Sequence, residues 1–106
     1  MLFARGSFAA LGGKGVVVNE PLHEDASYSV GFNTEAAWSL TYVDSDGKMG
    51  FSFEPGDEQK QVYLNAVASV DGKMPGRAFY VTDRYKLALQ RTKEYLVSCG
   101  YVVSIE

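Results

Sequence analysis

Large apolar residues alternate with small polar ones along Trp38-Ser-Leu40-Thr-Tyr42 and again along Met49-Gly-Phe51-Ser-Phe53. A period of two marks a strand with one buried face. Between the runs lies Ser45-Asp46-Gly47-Lys48. Asp-Gly favours a two-residue type I′ turn, in which both central residues take positive φ. With Asp46-Gly47 as the loop, Tyr42 faces Phe51, Leu40 faces Phe53 and Thr41 faces Ser52, which keeps aromatic and polar side chains on separate faces. The pattern predicts a β-hairpin.

A second alternation follows. Val62, Leu64, Ala66, Ala68 and Val70 share one face, Asp71-Gly72 opens a turn that runs through Met74-Pro75-Gly76, and Arg77-Ala-Phe-Tyr-Val81 predicts a returning strand. The same stretch admits a helix over 57–70 capped by Asp57, because Val62, Ala66, Val67 and Val70 also fit a helical stripe. The strand is the preferred reading. Tyr85, Ala88, Leu89, Thr92, Tyr95, Leu96 and Cys99 then recur at helical spacing. Thr82 or Asp83 can cap that helix, and Gly100 is a left-handed stop. Tyr101-Val-Val-Ser-Ile105 predicts a terminal strand. In the first third, Val16–Val18 and Tyr28–Phe32 read as strands, Gly12–Gly15 as a turn and Pro21–Ala26 as a loop. The expected architecture is α+β: one two-layer domain with a mostly antiparallel sheet of five to seven strands and a single helix, 83–99, across one face.

Composition keeps this picture simple. A chain of 106 residues with 46% hydrophobic and 22% charged residues is one globular domain, large enough to bury a core without covalent staples. Cys99 is the only cysteine, so no internal disulfide can form. It lies on the inner helix stripe, where a buried small hydrophobe is expected. Arg5 interrupts what would be the apolar part of a signal peptide, and the longest apolar runs fall short of a bilayer span. A cytoplasmic location is expected.

Charge changes the picture more. Between Glu20 and Glu58 the chain carries Glu20, Glu24, Asp25, Glu35, Asp44, Asp46, Glu54, Asp57 and Glu58 against Lys48 alone, a formal charge of −8. Residues 59–106 carry +3, so a net charge of −3 conceals a dipolar chain. Such asymmetry bears on partners and association rates rather than on fold. The exposed face of the 83–99 helix holds Arg84, Lys86, Gln90, Arg91, Lys93 and Glu94. A pI near 5 opposes nucleic-acid binding all the same, and that face reads as solvated.

Other motifs fall short of their chemistry. Gly12-Gly13-Lys14-Gly15 lacks the Ser/Thr and the following helix of a phosphate loop. His23-Glu24-Asp25 offers one imidazole and two carboxylates from a short run, with no second histidine for a zinc set. Neither a metal nor another cofactor is expected, and no catalytic constellation emerges.

The reading that uses the charge is a small non-enzymatic protein-binding domain. Its acidic surface, Glu24, Asp25, Asp44, Asp46, Asp57 and Glu58, would dock a basic protein partner, with the outward Tyr63 and Tyr80 as anchors. Inhibitors and immunity proteins share this size and charge, an analogy without a motif. The alternative is a small-ligand domain with an aromatic pocket between sheet and helix, lined by Trp38, Phe51, Phe53 and Tyr85.

Overall fold

The computed structural model describes residues 23–24, as backbone, and 27–106. Within these the strands are β1 (His23–Glu24), β2 (Tyr28–Phe32), β3 (Ser39–Asp44), β4 (Gly47–Pro55), β5 (Gln61–Val70) and β6 (Val102–Ile105), with one α-helix, α1 (Asp83–Ser98). Among the described residues they form one six-stranded sheet in sequential order. The first four pairings are antiparallel and β5–β6 is parallel. The expected α+β, two-layer plan is therefore the observed one. No helix among the described residues is long and apolar enough to cross a membrane.

Alternation decides which face is buried. Val30, Leu40, Tyr42, Met49, Phe51, Phe53, Val62, Leu64 and Ala68 point to the helix and pack on Tyr85, Ala88, Tyr95 and Leu96. The opposite face carries Thr41, Gly50, Ser52, Glu54, Tyr63 and Ser69. The helix begins as expected, with the Thr82 hydroxyl accepting from the Tyr85 N–H at 3.2 Å. It ends at Cys99, followed by Gly100 at φ 100°, a conformation that glycine adopts without penalty. Cys99 is half-buried and packs against the core, because it stands where the last turn leaves the sheet.

The first hairpin keeps its faces but not its register. Asp44 pairs with Gly47, Tyr42 with Met49 and Leu40 with Phe51, so Ser45-Asp46 is the loop and the pairing moves by two residues. The cause is local. The Asp44 carboxylate accepts from the Asp46 N–H at 2.9 Å, which builds the turn on Asp44. Only Gly47, at φ 136°, takes a positive φ there. A shift of two leaves every side chain on its intended face.

The strand reading of residues 62–70 holds, whereas the returning strand at 77–81 does not form. Arg77–Val81 is a 3-10 turn, and past the Asp71-Gly72 corner only the isolated Val70–Lys73 bridge joins β5. The first half of β5, Gln61–Leu64, is flanked by β6, reached through α1 as a parallel crossover. Tyr80 substitutes for a strand at one point: its hydroxyl donates to the Ala68 carbonyl and accepts from the Ala68 N–H, both at 3.2 Å. His23–Glu24, expected in a loop, forms the short outer strand β1, paired with Val30 and Ser29. The expected strand at Val16–Val18 and the turn at Gly12–Gly15 lie outside the described residues.

Candidate protein-docking site

Two carboxylate groups occupy opposite ends of the sheet. Asp44 and Asp46 belong to the β3–β4 turn and Asp57 and Glu58 to the β4–β5 turn, separated by the nine residues of β4. At about 3.3 Å per residue this is on the order of 30 Å. One protein surface of ordinary size cannot centre on both.

The β3–β4 end is internally neutralised. Arg84 grips Asp44 through Nε and Nη2 at 2.9 and 2.8 Å, a bidentate pair that is mostly buried. The guanidinium bonds hold the Asp44 carboxyl below the usual carboxylate range. Asp71 closes the same corner, its Oδ1 accepting from the Lys48 N–H at 3.0 Å. Arg91 lies 3.8 Å from the Tyr28 ring centre and donates to the Tyr42 hydroxyl at 3.0 Å. Arg84 and Arg91 are thus clamps between helix and sheet, not part of a solvated basic face.

The β4–β5 end differs. Gly56 N–H donates to Gln61 O, and the Gln61 side chain accepts from the Glu58 N–H at 3.0 Å, which fixes the turn with Asp57 and Glu58 outward. Lys60, at φ 66°, sends its ammonium over the Tyr101 ring, 5.9 Å from the centroid. Beside the turn, β5 bulges. Phe51 pairs with Ala68 and Phe53 with Leu64, so Asn65, Ala66 and Val67 oppose Ser52 alone. Bulges bend a strand and re-aim its side chains. A depression of about 190 Å³ opens there on the outer face, lined by Ser52, Phe53, Glu54, Tyr63, Asn65 and Glu106. Glu54 stands directly across from Tyr63. Among the described residues Arg84–Asp44 is the only ion pair, so Glu54, Asp57, Glu58 and Glu106 have no cationic partner there.

Trp38 adds an apolar element at this end. It precedes β3 at φ 60°, is 37% exposed, and packs edge-on against Phe53 at 5.2 Å. A bulky residue held at positive φ is uncommon and costly. Its carbonyl accepts from the Phe53 N–H at 3.0 Å, which anchors the distorted backbone to β4.

The expected docking residues therefore divide. Asp57 and Glu58, on the β4–β5 turn, and Tyr63, near the start of β5, lie at the same end of the sheet. Asp46 is exposed at the far end, and Asp44 is committed to Arg84. Glu24 belongs to the strand at the other edge of the sheet, and its side chain and all of Asp25 lie outside the described residues. Tyr80, expected outward, is turned inward onto Tyr85 at 4.9 Å, because the segment carrying it is a 3-10 turn packed on the core. Glu54, Glu106 and Trp38 were not singled out for docking by the sequence. The first two needed the strand pairing to be seen beside Tyr63. Phe51, Phe53 and Tyr85, the candidate pocket lining, are buried members of the core. Compared with known protein families, curated proteins and solved structures, the chain finds no match.

Proposed function

We propose that this is a small non-enzymatic protein-binding domain of the inhibitor or immunity-protein kind, acting in the cytoplasm on a basic protein partner. Its docking surface is the β4–β5 end of the outer sheet face: Glu54, Asp57, Glu58 and Glu106 around Tyr63, with Trp38 alongside. The observation that supports this most is the contrast in compensation. At one end of the sheet an arginine neutralises the buried carboxylate, while at the other Glu54 and Glu106 line a depression and Asp57 and Glu58 stand on the adjoining turn, none of them in an ion pair among the described residues. Like charges left together repel, and a basic partner would relieve them. Carboxylates at the rim steer encounter, and half-exposed aromatic side chains supply anchoring contact. The aromatic-pocket alternative draws less support, since Phe51, Phe53 and Tyr85 already fill the core.

A pull-down from the native source at low and moderate salt tests the reading, using wild type and the triple variant Glu54→Gln, Asp57→Asn, Glu58→Gln. Recovery of a basic protein by wild type and its loss from the variant is the expected result. Equal recovery by both would reduce this surface to a solvated one.

A further inference from the structure

Among the described residues β6 has a strand on one side only. In a parallel ladder, alternate residues direct both main-chain groups to the same neighbour. Val102 N–H donates to Lys60 O and Glu106 N–H to Leu64 O, each at 2.9 Å, and Glu106 O accepts from Ala66 N–H at 3.0 Å. Val102, Ser104 and Glu106 thus face β5, and Val103 and Ile105 turn their N–H and C=O groups away from the sheet. Natural edges are usually blunted by lysine, proline or a bulge. Val102-Val-Ser-Ile105 has none of these, and Val102 and Ile105 are 64% and 41% exposed.

We propose, resting on the docking reading above, that β6 is the partner's point of attachment: an extended basic segment of the partner adds to the sheet as a further strand. Main-chain bonds to Val103 and Ile105 supply the pairing. Side chains of an added strand alternate between faces. Those on the outer face lie beside Ser104 and Glu106, with Tyr63 and Glu54 one and two strands further in. Those on the helix face meet Val103 and Ile105. The segment that fits alternates arginine or lysine with apolar residues, the cations matching the carboxylates and the apolar side chains covering the exposed edge. A second copy of β6 would bring Glu106 to this edge in place of a cation, so charge favours the basic segment.

The probe is a short synthetic peptide alternating arginine and valine, with a glutamate–valine peptide as control. Wild type should bind the arginine peptide, more weakly as salt rises, and the Val103 and Ile105 amides should become protected from hydrogen exchange. Val103→Pro removes one outward N–H and leaves the β5 ladder intact, as proline is tolerated where the N–H faces away from the sheet. It should stay folded, with a modestly lower melting temperature because Val103 packs against the core, and bind at least about tenfold more weakly at a temperature where both proteins are fully folded. Protection of the two amides in wild type checks the same claim without a variant. Binding that is lost in the triple carboxylate variant, yet leaves these amides unprotected and survives Val103→Pro, would overturn the edge proposal while the docking reading stands. Failure of wild type to bind the arginine peptide would also overturn it, and the pull-down judges the docking reading separately. So would concentration-dependent dimerisation abolished by Val103→Pro, which would give the edge to a second copy.

Discussion

The two faces of this sheet are made by the same strands and obey different rules. On the helix side, Leu40, Tyr42, Met49, Phe51 and Leu64 are fully buried, and two tyrosine hydroxyls satisfy main-chain groups along the second half of β5, where β6 no longer pairs. Tyr85 donates to the Ala66 carbonyl, and Tyr80 serves both groups of Ala68. On the other side, serine, threonine and glycine make a thin, wet surface edged by carboxylates. Stability is concentrated on the first face, and the second is the one proposed to bind. Neighbouring positions on one strand should therefore respond to substitution in opposite ways.

Phe51→Ala and the adjacent Ser52→Ala give the sharpest contrast. Phe51→Ala removes a buried ring and should cost about 3–5 kcal/mol by denaturant titration. Ser52→Ala, on the exposed face, should stay within about 0.5 kcal/mol. Comparable losses at the two positions would break the distinction between the faces.

Gly47→Val comes next. A side chain at φ 136° is strained, and its Cβ would stand 2.8 Å from Asp71 Oδ1. The expected loss is about 2–3 kcal/mol. It should be accompanied by loss of amide protection at Lys48, whose N–H bonds Asp71.

Asp44→Asn follows, at about 1–2 kcal/mol, between the limits for exposed and buried pairs. Its folded-state pKa is depressed by Arg84. The contribution is then fully present above the unfolded value near about 3.9 and fades as pH falls through the lower folded value. Wild type and variant should therefore converge in stability in strong acid and differ fully at neutral pH. A constant difference down to the lowest pH would contradict the assignment.

Much of this division was legible in the sequence. The period-two runs name most core side chains of β3, β4 and β5, failing at Trp38, which is partly exposed ahead of β3, and at Ala66 in the bulge, and the helical stripe from Tyr85 to Leu96 fixes α1 with its Thr82 cap. What escaped had causes that residue pattern does not report. The two-residue register shift depends on an Asp44 side-chain bond within the turn. The second hairpin gives way to packing: Phe79 and Tyr80 of segment 77–81 lie against the core, and the Tyr80 hydroxyl, not a strand, meets Ala68. Segment 77–81 has strand-like composition, yet it forms a 3-10 turn whose aromatic rings pack on Tyr85. The proposed docking surface was half legible. Charge density pointed to Asp57 and Glu58, and alternation placed Tyr63 on the outer face. The same density also pointed to Asp44, since nothing in the sequence says that Arg84, forty residues away, neutralises it. Glu106 reaches the depression only through the parallel β5–β6 register.

The central claim is that the β4–β5 carboxylates serve association and not folding. The most direct measurement pairs thermal melting with stopped-flow association of a basic partner across a salt series, for wild type and the Glu54→Gln, Asp57→Asn, Glu58→Gln variant. The account predicts an unchanged or slightly higher melting temperature, an on-rate lower by about tenfold at low salt, and a flatter salt dependence. A clear fall in melting temperature with an unaltered on-rate would contradict it.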